Sequence, residues 1–536
     1  MDFIFGTFAT DELKLVHHRA AHNGVQHLHR LDPVDPLPGE PVFLSVTIGI
    51  DTAADHVACY YTLDGSQPAG SRGRAQNGHV RFLEKRAVVW DAIAWGYVAH
   101  WQGELPPQPE HTVVRYRIGA WTDDGPEIFA DWPVAQDVAE QAAAAFFRGD
   151  SIQEITIPTS GEGHSFSYHV DNLLPPAWAR DAVIYEIFVD RFYPGDDQEW
   201  RPARDLQDIH GGTLWGVRDK LDYIEALGAT CIWLTPIWKS PSTHGYDIID
   251  YYTIEPRLGG EEALSALVEA AHQRGIRIVL DMVCNHISSA SPVFQDALNS
   301  PNSPYRDWFS FDDSEAGYRT FFGVRSMPQI NAENPAARQW LYDIAQYWIN
   351  RAGVDGYRLD YANGPGPGFW VDFRAACRAA NPESFCFGEI VDQPASILPY
   401  IGRLDGCLDF QMEEALRATF AHQTSTPDDF WRFVERHYAY FAQAGDFIMP
   451  TFIDNHDMDR FLYMANGDKT RLKAAAAAQM KLPQPPIIYY GTEVGLSQRA
   501  GKSAAGLEVS REPMLWGDDQ DQDLLASYRE LLAHRR

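Results

Sequence analysis

The chain reads as an α/β protein built on a (β/α)8 barrel, with an N-terminal β-sandwich and a small subdomain inserted after barrel strand 3. Three observations predict this. Residues from about Gly39 to Pro133 hold short β-rich runs separated by turn residues. From Asp181 onward, apolar strands alternate with amphipathic helices, the pattern of βαβ units and a parallel sheet. Eight such strands fall in about 350 residues, and no glycine-rich phosphate loop follows any of them, which favours a closed barrel over an open nucleotide-binding sheet.

In the first region, Pro41–Thr47, Ala58–Leu63 and Thr112–Ile118 are the expected strands, divided by turns such as Leu63-Asp64-Gly65-Ser66. Residues 1–135 are taken as this sandwich. Trp90, Trp95, Trp101 and Trp121 could stack on sugars, although a Trp in a sandwich more often fills the core. Residues 136–177 read as a connector with an Ala-rich helical patch at Ala139–Phe147. The barrel is assigned to residues 178–536. Its expected strands are Val183–Phe188, Cys231–Thr235, Arg277–Met282, Gly356–Asp360, Phe385–Glu389, Gly406–Phe410, Ile448–Ile453 and Ile487–Tyr490. Expected helices lie between them at Leu214–Leu227, Glu261–Arg274, Ala336–Asn350, Trp370–Ala380, Asp428–Gln443 and Arg471–Lys481, with Asp521–Ala533 last. The stretch 287–334 is long, irregular and rich in Ser, Pro, Asp and aromatic residues. A connection of that length is usually functional or a small subdomain.

Composition narrows the partners. The formal charge of −30 disfavours nucleic acid and anionic membranes. No apolar run approaches the ~18–20 residues that span a bilayer. The N-terminus lacks a basic stretch followed by an apolar one, and the six cysteines are scattered without metal-ligand spacing, so a cytoplasmic, disulfide-free protein is expected.

In a barrel enzyme the chemistry sits at the C-terminal ends of the strands. Those ends carry Asp281, Asn285 and His286 on strand 3, Arg358 and Asp360 on strand 4, Glu389 on strand 5, and His456 with Asp457 after strand 7. Tyr246 and Asp247 lie in the loop after strand 2. Arg358 and Asp360 are two residues apart and face the same way. Alone they read first as a buried salt bridge, and only in the company of further acids as a carboxylate nucleophile beside its cation. Several carboxylates converging on one mouth, without a His/Cys zinc cluster or a serine elbow, suit glycoside hydrolysis by paired carboxyl groups.

Asp281-Met-Val-Cys-Asn285-His286, Gly356-Tyr-Arg358-Leu-Asp360, Phe387-Gly-Glu389-Ile and Phe452-Ile-Asp-Asn-His456-Asp457 resemble, in order, the four signature segments of the α-amylase family of glycoside hydrolases. Tyr185–Phe192, Gly228–Pro236, His244-Gly-Tyr246-Asp247, Met327–Asn331 and Arg511–Trp516 support the likeness, which is strongest to the cyclomaltodextrinase, neopullulanase and maltogenic amylase group. The resemblance implies a retaining enzyme that cleaves α-1,4 bonds in maltodextrins or cyclodextrins, with α-1,6 cleavage or transglycosylation as extensions. It implies Asp360 as nucleophile and Glu389 as general acid/base, with Asp457 holding hydroxyls of the reacting glucose. Arg358 would orient Asp360 and keep it ionised. His286 and His456 would bind the same sugar, Tyr246 would stack on it, and Asp281 and Asn285 would support the site. Asp247 and Arg460 are further candidates in the same loops. Alternatives on the same scaffold are a glucanotransferase or isomerase, and, from another class, an inactive glucan-binding protein.

The chain departs from the family pattern in several places. Tyr361 follows the nucleophile position where a small or β-branched residue is usual, which should reshape the acceptor side. Asn363-Gly364 and Gln329 replace residues tied to the usual amylase calcium site. No cofactor is required and no metal ligand is assigned; structural calcium stays open, with Asp196 and Asp197 the nearest acidic pair. The resemblance also suggests a homodimer through the N-terminal domain. The sequence stops at the last barrel helix, so the family's C-terminal β-domain is expected to be absent or to lie beyond the sequence given.

Overall fold

The computed structural model describes residues 15, 18–19, 21–132, 163–195 and 198–535. The Ala139–Phe147 patch and the Asp196–Asp197 pair lie outside them.

The N-terminal part is two five-stranded antiparallel sheets. One contains β1 (Val42–Ile48), β2 (Glu84–Asp91) and β3 (Gly96–Leu105), and the other contains β4 (His56–Thr62), β5 (Thr112–Trp121) and β6 (Phe166–Val170). Val42, Leu44 and Val46 of one sheet share an apolar cluster with Val57, Cys59, Val114 and Tyr116 of the other. The sequence reading missed the β2–β3 hairpin. Its outer strand, Glu-Lys-Arg-Ala-Val-Val-Trp, is exposed along most of its length and so lacks the alternation that marks a half-buried strand. Trp101 and Trp121 are buried, whereas Trp90 and Trp95 stand exposed beside Tyr97. Residues 166–170, read from sequence as connector, are a strand paired with β5 along its length. Arg115 and His169 then reach the barrel helix Pro367–Ala380 through Asp372, at 2.7 and 2.9 Å.

The barrel strands are β7 (Ile184–Ile187), β8 (Cys231–Leu234), β9 (Arg277–Val283), β10 (Gly356–Asp360), β11 (Phe385–Gly388), β12 (Gly406–Cys407) and β13 (Ile487–Tyr489). They pair in parallel, each with the next in the chain, and β13 returns to β7. The gap between β12 and β13 is filled by 448–451, which bridges to Gly406 at one edge and to Pro486 at the other, closing an eight-membered ring. The expected strand Ile448–Ile453 is thus reduced to two bridges. The expected Gly406–Phe410 shortens because Asp409 caps a helix, Phe410–Leu416, by accepting from the Met412 N–H. The expected helix Leu214–Leu227 is two helices meeting at Lys220.

The central strand β10 is buried at every residue, as a parallel strand covered on both faces should be. The helix before it, Pro335–Ala352, shows why its ends fall where they do. Asn334 caps it through Ala336 and Ala337 N–H, proline occupies the first position, and Gly353 ends it in the left-handed conformation. Ala337, Leu341, Ile344, Ala345 and Trp348 recur at helical spacing and form its buried stripe. Gly356 starts β10 at φ +144°, with no room for a side chain: a Cβ there would lie 2.0 Å from the Phe385 carbonyl oxygen. The pairing runs from Gly356↔Phe385 to Leu359↔Gly388, and the next residues in each strand are Asp360 and Glu389.

Between β9 and β10 the 287–334 stretch contains a helix, Pro292–Asn299, and a hairpin of Thr320–Phe321 with Val324–Pro328.

Candidate active site

The C-terminal mouth of the barrel gathers buried charges. Arg358 on β10 lies at the centre, fully buried. Its Nη1 donates to both Asp281 oxygens at 2.7 and 2.9 Å and to Asp360 Oδ1 at 3.1 Å. Its Nη2 lies 2.8 Å from Glu389 Oε2. One guanidinium therefore touches the carboxyl groups of β9, β10 and the end of β11. Asp281 is held further by the Trp233 indole N–H (3.0 Å) and the Tyr246 hydroxyl (2.9 Å).

His456 forms a second centre. Nδ1 lies 2.5 Å from Glu186 Oε1 on β7, and Nε2 lies 3.0 Å from Asp457 Oδ2 and 2.5 Å from the Tyr246 hydroxyl. The Tyr246 and His456 rings are nearly parallel, 9° apart in plane. Burial opposes charge on His456, but Asp457 and Glu186 outweigh it and raise its pKa to about 10, so it is an imidazolium at neutral pH. Arg511 donates to Asp457 Oδ1 at 2.8 Å. Burial would raise the Asp457 pKa, yet His456 and then Arg511 hold it well below the carboxylate range.

Asp360 and Glu389 behave differently. Burial pushes both carboxyl groups upward, with the neighbouring carboxylates adding to the effect and Arg358 opposing it. At Asp360 the Arg358 guanidinium is the largest influence acting against burial and favours the ionised carboxylate, the direction expected of it from the sequence. The two carboxyl groups are thus pushed the same way by burial and steadied by the same cation. Glu389 Oε2 also accepts from the Tyr361 backbone N–H at 3.1 Å, while Oε1 is buried without a hydrogen-bond partner.

His286 is buried and held neutral, its pKa lowered by burial to about 3, and its Nε2 has no partner. Its ring stacks on Phe321 at 4.5 Å. Tyr361 takes the left-handed conformation, φ +40°, and packs edge-on against Phe321 and Phe322 at 5.2 and 5.4 Å. Together these rings form an aromatic wall, joined to Glu389 through the Tyr361 backbone N–H.

Asp281, Asn285, His286, Arg358, Asp360, Tyr361, Glu389, His456, Asp457 and Tyr246 thus line or support one mouth. Asp247 instead pins its own loop, accepting from the Ser240 and Ser242 hydroxyls. Arg460 turns away, donating to the Ser510 and Tyr490 carbonyls at 2.8 and 2.9 Å. Three members had not been singled out from sequence: Glu186, Trp233 and Arg511. Glu186 left a signal, a lone acid inside the apolar run Val-Ile-Tyr-Glu-Ile-Phe-Val.

The calcium question turns on Asn285. Its Oδ1 accepts from the Gln329 amide at 2.9 Å, and Gln329 Oε1 accepts in turn from Arg319 at 2.5 Å. An amide donor and a guanidinium occupy the oxygens that a hard cation would need, so these residues do not fit calcium.

A family model described as the alpha amylase catalytic domain matches residues 186–528. Alpha-amylase 2 of Dictyoglomus thermophilum is 39% identical over 410 residues, covering 73% of this chain and 72% of that protein. A cyclomaltodextrinase of a Bacillus species is 34% identical over 403 residues, 71% of each. A solved cyclomaltodextrinase structure superposes with a TM-score of 0.64 at 28% identity, covering 96% of this chain and 84% of that one.

Proposed function

Given that the chain belongs to the α-amylase family of glycoside hydrolases, we propose that its strand-end cluster cleaves α-1,4-glucosidic bonds of maltodextrins and cyclodextrins by double displacement. The observation that carries this is the single Arg358 guanidinium touching both Asp360 (3.1 Å) and Glu389 (2.8 Å) from neighbouring strands. In this reading Asp360 is the carboxylate beside Arg358 and Glu389 the carboxylic acid, the two forms that the first step requires.

In that step Asp360 attacks the anomeric carbon as Glu389 gives its proton to the departing glycosidic oxygen. Glu389, now ionised, removes a proton from water, and the oxygen displaces Asp360 with the configuration retained. Asp457, kept ionised by His456 and Arg511, accepts hydrogen bonds from hydroxyls of the reacting glucose. The unpartnered His286 Nε2 and the Tyr246–His456 stack bind the same ring. The chemistry calls for no organic cofactor.

The aromatic wall of Tyr361, Phe321 and Phe322 favours a second activity at the same site, transfer of the glucosyl unit to a sugar acceptor, because a π-face stacks sugars better than it orders water. We assign the two N-terminal sheets as a β-sandwich accessory domain and 287–334 as a small subdomain carrying that wall. The exposed Trp90, Trp95 and Tyr97 support a homodimer through the sandwich. Six free, buried cysteines and the absence, among the described residues, of a helix long and apolar enough to cross a membrane support a cytoplasmic location.

Incubation with maltotriose, β-cyclodextrin and pullulan tests the reading. Products of retained anomeric configuration are expected, with a loss of about three orders of magnitude or more in Asp360→Asn. Inverted products, or an Asp360→Asn protein of unchanged rate, overturn it.

A further inference from the structure

The two N-terminal sheets carry a second cluster of ionisable groups, remote in the chain from the barrel residues described above. His18 and His22 are four residues apart in the sequence, ahead of the first sheet, and Asp91 ends β2 of the exposed hairpin. Their ligand atoms all lie within 4.8 Å of one another. His18 Nε2 is 2.9 Å from Asp91 Oδ2, and His22 Nε2 is 3.8 Å from the same oxygen.

Two further observations show that these atoms are held in place. His22 Nδ1 lies 2.7 Å from the His18 carbonyl oxygen, which can only accept, so Nδ1 carries the proton. That leaves the His22 Nε2 lone pair aimed at the cluster, the arrangement that orients metal-bound imidazoles. Asp91 Oδ1 accepts from the Ile93 and Ala94 backbone N–H groups at 2.9 and 2.5 Å, which fixes the carboxylate, and His18 Nε2 lies against both of its oxygens, 3.0 Å from Oδ1 and 2.9 Å from Oδ2. The two imidazole rings stack at 4.2 Å with planes 20° apart, so their edges point the same way.

We infer that His18, His22 and Asp91 form a binding site for a borderline divalent transition-metal ion of the zinc type. At metal–ligand bonds of ~2.0–2.2 Å, tetrahedral ligands sit roughly 3.3 Å apart. The two histidine-to-Asp91 separations of 2.9 and 3.8 Å bracket that spacing and all three ligand atoms lie within 4.8 Å of one another, so a side-chain adjustment on the order of 1 Å completes the site. Two neutral imidazoles and one carboxylate select zinc over calcium or magnesium, which prefer all-oxygen sites. On binding, the His18–Asp91 hydrogen bond gives way to one bond from each group to the ion, and the His18 proton resides on Nδ1. The fourth position faces solvent, the three side chains being 28, 25 and 15% exposed, and takes water. Such an ion ties the N-terminal turn to the tip of the hairpin that carries Trp90, Trp95 and Tyr97. Its role is structural.

The test uses the full chain without an affinity tag, stripped with EDTA, desalted and titrated calorimetrically with zinc chloride. One equivalent is expected to bind tightly to the wild type, with affinity at least tenfold lower in His22→Gln and in Asp91→Asn. His22→Gln keeps the His18–Asp91 hydrogen bond, so its fold is retained, and its hydrolysis of maltotriose is expected to stay unchanged. Cobalt loading should give the visible absorption of a tetrahedral centre in the wild type and not in His22→Gln. A wild type that binds no zinc, or variants that bind it within tenfold of the wild type, overturns the assignment.

Discussion

Arg358 and Asp281, from neighbouring strands, are joined by two hydrogen bonds of 2.7 and 2.9 Å between fully buried side chains. This is the foundation of the site, because the same guanidinium then reaches Asp360 and Glu389. Removing one partner of a buried pair leaves the other charge stranded, at a cost of about 3–5 kcal/mol. Asp281→Ala is therefore expected to lower the urea unfolding free energy by that order and kcat with it. Asp281→Asn keeps an acceptor and should lose less of both. Equilibrium denaturation beside steady-state kinetics checks the ranking.

His456 sets a pH dependence. Its pKa in the folded protein is raised to about 10, against an ordinary value near 6.5. A raised pKa means that the folded state holds the proton more tightly. The stabilisation is complete below about pH 6.5 and is lost as pH rises through the folded value. Wild-type stability is expected to fall between about pH 7 and 10, and the alkaline limb of kcat/KM should lie in the same window. Glu186→Gln removes one of the two carboxylates that raise the value, so both transitions should move to lower pH. Urea midpoints and pH–rate profiles of the two proteins measure the shift.

Tyr361 governs acceptor choice if its wall binds sugar. Tyr361→Gly removes the ring, suits the left-handed backbone at φ +40°, and keeps the N–H that donates to Glu389. An aromatic contact is worth about 0.5–1.5 kcal/mol, so the ratio of transfer to hydrolysis should fall roughly two- to tenfold. Chromatography of products from concentrated maltotriose gives the ratio directly.

Calcium should leave the enzyme indifferent. The Gln329–Asn285 and Arg319–Gln329 hydrogen bonds occupy the oxygens a hard cation would use. Rates in excess EGTA and in millimolar calcium are expected to agree within about twofold, since neither alters the hydrogen bonds that Asn285 and Gln329 make.

Much of this was legible in the sequence because the signals were local. Strand Gly356–Asp360 is buried on both faces and bounded by a capped helix and a glycine loop, so its limits agree with the reading to the residue. The strand-end acids emerged because a carboxylate closing an apolar run is conspicuous. Long-range compensation was not legible. Arg511 approaches Asp457 from 54 residues away, and Trp233 meets Asp281 from 48, pairings that only the assembled tertiary structure creates. The outer strand β2 escaped for the opposite reason: it buries too little to impose a period on its residues. Asp247 and Arg460 show the limit of reading by position, since each shares a loop with the cluster and points elsewhere.

Gly356 lies at the far end of its strand from the chemistry, yet it decides how two reactive groups face each other. Because no methyl group stands there, β10 settles against the Phe385 carbonyl, and the three pairs that follow keep step until Asp360 and Glu389 emerge side by side. The alignment of nucleophile and acid is thus inherited from the floor of the barrel. An engineer who widens the mouth by altering loops leaves that alignment intact, whereas one added carbon at the floor would put the two carboxyl groups out of phase without touching either.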